Sequence, residues 1–448
     1  MPPNQDFSIE ALLSAPSRSP GVPSHDGKFA LYGVTTHSFG DNGGILREVR
    51  MMDLETETSV QISDDDSVHD ARWIPGNNDV AYLRSCPDGK TELIMVLGNE
   101  KHVIAKFEAP VRSLKLHRLE DGRVVIMVVG LVGPDGSLFN EKSTVSKSTG
   151  RIFDTINVRN WNVMYKAQRY SLWYTTMELQ DGQWKIGGQL LNLLPDSVLE
   201  PTGVYAPEDP GPNFDISEAG VTFATKEVAT SRSTVLDFSR PYYIALQSFD
   251  HPPHSAPQEI QLPPGMGVGD ASNFKFSPDG SRIGFIHSES TTCGGGHLLV
   301  AATNSLESID VLRQIGLDTS GDNFDPPIAF EFADSHDNVL FLSEQRGHTK
   351  CTIGLSDGAI VKTLPPAGPT WSFSPNMVTE IDIAGDEDHP IHCFVLRPDK
   401  FDETKTYPWV LMIHGGPVSA WADAWNPRPN ITGSTGYGLA HAKRKLKV

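Results

Sequence analysis

The residues best placed to do chemistry stand near the end of the chain, in Leu411-Met412-Ile413-His414-Gly415-Gly416-Pro417. Trp409 to Ile413 reads as a buried apolar strand that runs straight into a turn, and the two glycines leave backbone N–H groups unobstructed by side chains. Donors held this way stabilise the oxyanion that forms when a nucleophile attacks a carbonyl carbon. His414, Gly415 and Gly416 are therefore the candidate site residues, as part of an oxyanion hole for acyl transfer. The plain alternative is an ordinary glycine turn after a strand.

A chain of 448 residues exceeds what one hydrophobic core usually supports, so two domains are expected. Asp+Glu 56 against Lys+Arg 37 gives a formal charge of -19, which repels phosphate backbones and anionic lipid surfaces. Neither nucleic acid nor membrane is an expected partner, and the oligomeric state is left open. Cys86, Cys293, Cys351 and Cys393 are scattered without C-x-x-C spacing, which points to free thiols. The start, Met1-Pro2-Pro3-Asn4-Gln5-Asp6, has neither a basic region nor an apolar run after it, so the expected location is the cytoplasm, or outside the cell if the natural start lies upstream. No cofactor or metal is expected. His251-Pro252-Pro253-His254 lacks a carboxylate or thiol at ligand spacing, and Asp318, Ser320 and Asp322 lack the glycine and the glutamate of a calcium loop.

Phe7 to Ala15 has the makings of one or two helical turns before Pro16. From Gly27 onward the chain is a series of short β-type runs divided by Asp-Gly or Asn-Asn turns. Ser24 to Tyr32 is echoed at Arg72 to Leu83, Leu119 to Ile126, Phe214 to Phe223, Phe276 to Phe285 and Phe330 to Phe341. The spacing is roughly 45 to 60 residues, with one double-length gap into which Tyr170 to Gln183 fits as a further copy. A hairpin in every unit of that period predicts a β-propeller of about seven blades. Asp64-Asp65-Asp66 reads as a solvated turn between blades.

Pro365-Pro366-Ala367-Gly368-Pro369, then Ser374-Pro375, marks a boundary. Val378 to Ile383 and Ile391 to Leu396 read as two strands around the turn Asp386 to Pro390, leading to the apolar run that ends at His414. The expected domains are an N-terminal segment over 1–20, a propeller over 21–370 and an incomplete α/β-hydrolase domain over 371–448.

With the propeller first and His-Gly-Gly-Pro second, the chain resembles the prolyl oligopeptidase family of serine peptidases, and within it the dipeptidyl-peptidase V group. The resemblance rests also on Leu12-Leu13-Ser14-Ala15-Pro16, Tyr82-Leu83 with Gly89 to Leu93, Gly133-Pro134-Asp135-Gly136-Ser137-Leu138, Val158-Arg159-Asn160-Trp161 and Gly433-Ser434-Thr435-Gly436-Tyr437-Gly438. It implies removal of dipeptides from free peptide N-termini by a Ser-Asp-His triad, with the propeller limiting access. It also implies a carboxylate from the propeller for the substrate ammonium group, a role the sequence leaves unassigned.

The match has two breaks. Between His414 and Gly433 the family has a crossover helix and a return strand, whereas Pro417 to Thr432 carries three prolines and no apolar run. The junction at Arg428-Pro429 therefore reads as an internal deletion. The family's nucleophile elbow, Asp and His lie downstream of Gly438, where no Gly-x-Ser-x-Gly follows, and Thr432-Gly433-Ser434-Thr435-Gly436 fails the pattern at its first position, so none of the triad is expected in these 448 residues. The expected function is serine-type dipeptidyl peptidase at the level of the family, on peptide substrates, with this chain itself inactive. The alternative is a non-catalytic propeller that binds peptides or proteins.

Overall fold

The computed structural model describes residues 14–409 and 411, except 40–42, 99, 144–167, 196, 198, 202–212, 227–237, 290–295, 315–325, 334–337, 346–347, 355–359, 365–377, 386–389 and 398–400. The expected helix at Phe7 to Ala15 falls almost wholly outside these residues, and so do the proline-rich boundary and the turn before Pro390. Six antiparallel sheets of four or five strands follow one another along the chain as a β-propeller, at 17–63, 68–107, 111–192, 214–259, 269–310 and 327–364. A two-stranded hairpin comes after them, Val378–Ile383 with Ile391–Leu396, on the residues expected for it.

Six blades stand where the spacing predicts about seven. The copy at Tyr170 to Gln183 is not a blade of its own. Val124–Val132 pairs with Arg169–Gln180 without interruption from Val124↔Met177 to Val132↔Arg169, so both lie in the third sheet. An insertion, 133–168, separates these neighbouring strands and lengthens that repeat. The turn Asp181-Gly182 joins the third and fourth strands of this blade instead of opening a new one.

The recurring sequence outline is the first hairpin of each blade. At Asp26-Gly27, Asp121-Gly122 and Asp279-Gly280 the glycine sits at φ 70, 90 and 70, a left-handed conformation that costs glycine little. Its N–H donates to the carbonyl three residues earlier, Ser24, Leu119 or Ser277, at 3.0, 2.9 and 2.8 Å. Bonds from the Ser24 and Ser277 hydroxyls, reinforced by further donors in or beside each turn, hold the Asp26 and Asp279 carboxyls at about 2. The strands of the second to fifth sheets are apolar on both sides because each of these sheets is covered on both faces. Val124–Val132 is accordingly an almost unbroken apolar run. The core is a set of apolar layers between consecutive sheets. The one between blades 3 and 4 packs Val125, Met127 and Tyr174 against Phe214, Val221 and Phe223, and four more fill the other consecutive seams.

Where the first strands of the blades meet, side chains cross from one blade to the backbone of the next. Three of these strands carry a bulge, with Asp70, Ser113 and Asn273 at φ 54, 58 and 55. Ser113 N–H donates to Asp70 Oδ2 at 2.7 Å, and Asn273 N–H donates to Asn213 Oδ1 at 3.1 Å. The Asn213 amide also donates to Ala271 O at 3.0 Å, and the Asn273 amide to Ile328 O at 3.0 Å. At Ser113 and Asn273 the bulge thus frees a backbone N–H that the preceding blade takes up. Replacing Asn213 by Ala removes the acceptor of the Asn273 N–H and one of two donors to the Ala271 carbonyl, which keeps the Ser239 hydroxyl at 3.3 Å. Urea unfolding is expected to show a loss of about 0.5–1.5 kcal/mol, and an unchanged midpoint would refute this role for the amide.

Candidate functional site

Strand order alone divides the ring into two faces. Chain connections from first to second and from third to fourth strand emerge on one face, and these are mostly tight turns such as 24–28, 74–79 and 277–281. Connections from second to third strand, and from each blade to the next, emerge on the other, which carries 133–168, 193–213, 227–238 and 311–326. The chain also enters its first blade and leaves Ile360–Leu364 on this second face. Everything after residue 364 therefore starts from the face that carries the long loops.

Two residues after each bulge stands a cation, and two of the three, Lys115 and Lys275, reach the next blade. The Lys115 ammonium lies 3.3 Å from Asp215 Oδ1, donates to the Phe214 carbonyl and sits 5.2 Å over the Phe214 ring. Asp215 Oδ2 in turn accepts the Phe276 N–H at 2.8 Å, so this carboxylate joins blades 3, 4 and 5. Lys275 repeats the arrangement with Glu331 at 2.6 Å, and Arg72 lies 3.7 Å from Asp70. Burial pushes the Lys115 ammonium below its ordinary range, and the nearby Lys275 and Arg72 charges act in the same direction against the pull of Asp215. Asp215 and Glu331 are thus each committed to a lysine, and Asp70 holds the Ser113 N–H beside Arg72. On the loop face a cleft of about 550 Å³ opens between the Gly133 to Gly136 turn and Tyr170, Ser171 and Leu194. The Arg112 guanidinium lies 4.8 Å from the centre of the Tyr170 ring, and the Tyr170 N–H donates to Glu200 at 3.2 Å.

His414, Gly415 and Gly416 lie outside the described residues, as do Ser434, Val158 to Trp161 and the Asp318 to Asp322 stretch. The strand expected at Trp409 to Ile413 is not found at the two of its residues that are described. Trp409 and Leu411 are in no strand and are 84% and 67% exposed. A buried strand needs a sheet edge to bond and cover on both faces. Among the described residues the two strands of the hairpin pair only with each other, and Ile381, Ile383 and Ile391 are themselves largely exposed. Of the other motifs, Asp65 accepts the Ser67 N–H and hydroxyl in the linker between blades 1 and 2, as a turn residue should. His251 is engaged through its carbonyl, which accepts from the Tyr174 hydroxyl at 2.6 Å.

The sequence reading missed the charged wall. Its signal is a repeat that the turn-based alignment stops short of: Asp70-x-Arg72, Ser113-x-Lys115 and Asn273-x-Lys275, each a small polar residue that tolerates a left-handed backbone followed by a cation.

His117, two residues beyond Lys115, is held below its usual pKa by burial, with Asp215 and Glu218 pulling the other way. Above about pH 6.5 it is neutral in both folded and unfolded chains. As pH falls from there toward its lowered folded pKa, the unfolded chain takes up a proton that the folded one does not, and stability drops by up to about 1.4 kcal/mol per pH unit. His117→Gln should therefore lose less stability than the parent between pH 7.5 and 5.5 in urea titrations, with a slope difference no larger than about that figure. Equal losses would show that His117 is not the responsible group.

No protein-family profile matches the chain. Among curated proteins it is similar to dipeptidyl-peptidase 5 of Aspergillus fumigatus, 24% identical over 508 aligned positions that cover 96% of this chain and 69% of that one. Dipeptidyl-peptidase 5 of Aspergillus oryzae is also 24% identical, with the same coverage. Among solved structures the fold is similar to an acylaminoacyl peptidase of Pyrococcus horikoshii, at a TM-score of 0.60 and 9% identity, over 98% of this chain and 66% of that one. The chain thus spans about two thirds of the length of the proteins it matches. Its homologues by sequence are dipeptidyl-peptidases 5, and its neighbours by fold include peptidases of the prolyl oligopeptidase family that its sequence resembles.

Proposed function

We propose that this chain is the propeller and the leading part of the catalytic domain of a serine-type dipeptidyl peptidase, which releases dipeptides from free peptide N-termini. The observation that carries the reading is the collinear match to dipeptidyl-peptidases 5 across 96% of the chain, from the first blade into the region of His414. The propeller followed by a hairpin at Val378–Ile383 and Ile391–Leu396 supports it. On this reading peptides reach the catalytic domain at the face that carries the long loops, and the backbone at His414 to Gly416 forms part of the oxyanion hole. No Gly-x-Ser-x-Gly segment follows His414 in the 448 residues, and the one match, Gly354 to Gly358, falls in sequence between the third and fourth strands of the sixth blade. By themselves they bind peptides without hydrolysing them.

Two measurements test this. The purified 448-residue chain should give no turnover of a dipeptidyl amide with a free N-terminus, and any turnover would overturn the inactivity. The natural transcript, sequenced from Tyr407 to its stop codon, should restore the crossover after Arg428 and continue into a Gly-x-Ser-x-Gly segment. Its product should cleave the free dipeptidyl amide and leave the N-acetylated one intact. Preference for the acetylated substrate would replace the dipeptidyl reading with an acylaminoacyl one. A stop at Val448 would favour a non-catalytic, peptide-binding propeller.

A further inference from the structure

The fifth blade contains a pair of histidines that the peptidase reading does not use. His287 stands on Arg282–Glu289 and His297 on Gly296–Ala302, and in the antiparallel register they are direct partners. Direct partners point to the same side of a sheet with Cβ atoms about 4.5–5.5 Å apart. This side is the one on which Phe285 and Leu299 pack toward the fourth blade. The pair lies at the end of these strands that opens onto the loop face.

Each ring has one nitrogen already bound. His287 Nε2 donates to the Gly267 carbonyl at 2.9 Å, so Nδ1 carries the lone pair. That atom is fully buried in a residue only 1% exposed, and it has no hydrogen-bond partner. His297 Nδ1 lies 2.9 Å from Asp310 Oδ2, which makes it the N–H of that ring and leaves Nε2 with the lone pair. Asp310 is fixed in turn, because its other oxygen accepts the Leu312 and Arg313 N–H groups at 3.1 and 3.2 Å. Histidines that bind metal ions characteristically donate their second ring nitrogen to a backbone carbonyl or a carboxylate, and here one does each.

We propose that His287 Nδ1 and His297 Nε2 together bind one divalent transition-metal ion of the zinc and copper class. Two imidazole nitrogens at about 2.0–2.1 Å from one ion lie within the span of directly opposed side chains. The ion gives the buried Nδ1 the partner it lacks. Among the described residues no group of three His, Cys, Asp or Glu side chains comes together, so these residues supply two ligands. The His297 side chain is 12% exposed and forms the way in. Bound there, the ion clips the second and third strands of the blade together where they open onto the loop face.

The whole chain, stripped with chelator and kept reduced, is titrated with zinc chloride in a calorimeter. One ion per chain is expected, with a rise in melting temperature. His297→Gln and His287→Gln should each weaken binding by at least about tenfold, and Asp310→Asn, which loosens only the orientation of His297, by about 10–100-fold. The double variant His251→Gln/His254→Gln should bind like the parent. Copper should bind more tightly than zinc, and its electron paramagnetic resonance spectrum should show coupling to two nitrogens. Circular dichroism checks each variant's fold, and Asp310→Asn stands in if either histidine variant fails to fold. Absence of binding up to about 1 mM zinc, or binding that survives both His297→Gln and Asp310→Asn, would overturn the proposal.

Discussion

What the packing of blade on blade depends on is that bulged first strands must satisfy backbone groups that their own sheets cannot reach. A bulge leaves an N–H without a partner in the ladder, and a buried N–H without a partner is costly. Here the preceding blade supplies the acceptor, Asp70 for Ser113 and Asn213 for Asn273. Hydrophobic burial between the sheets is strong but has no direction, so by itself it would allow neighbouring blades to slide. The polar bonds at the inner strands are directional, and they set the register of one blade on the next. Asp215 shows how closely the parts are coupled, since it accepts from Lys115 of the blade before and from the Phe276 backbone of the blade after.

The same positions explain why the wall is charged. A side chain that crosses a seam close to the central axis is partly withdrawn from water, and an ion there is tolerated only with a partner at short range. Lys115 has Asp215 and the Phe214 ring, and Lys275 has Glu331. These pairs leave the wall almost neutral although the whole chain carries -19.

How much of this could be read from sequence follows from how local each feature is. The Asp-Gly hairpins were legible because one short segment contains both the glycine that needs a left-handed backbone and the aspartate that caps the turn. The strands at Val378–Ile383 and Ile391–Leu396 were legible for the same reason. The blade count was not, because an insertion between Val132 and Arg169 mimics the length of a further repeat while the strands on either side still pair. The wall was missed because Lys115 meets Asp215 across a hundred residues. Trp409 illustrates the opposite error. An apolar run predicts burial only if something covers it, and at Trp409 and Leu411 nothing among the described residues does.

The division between the two faces follows from the order of strands in a blade. The turns on one face join strands that are adjacent in the ladder, and their length is fixed by the pairing on either side. At Asp26-Gly27 or Asp279-Gly280 an added residue would shift the register and turn core side chains outward. On the other face, connections between blades are not bound by a ladder at both ends, so insertions there leave the pairing intact. Even the long 133–168 insertion, which does lie between paired strands, leaves their register unbroken from Val124 to Val132. Variation in binding residues can therefore accumulate on the loop face without disturbing the ring. The chain leaves the propeller on that same face, which is where a scaffold of this kind can present a substrate to whatever follows it.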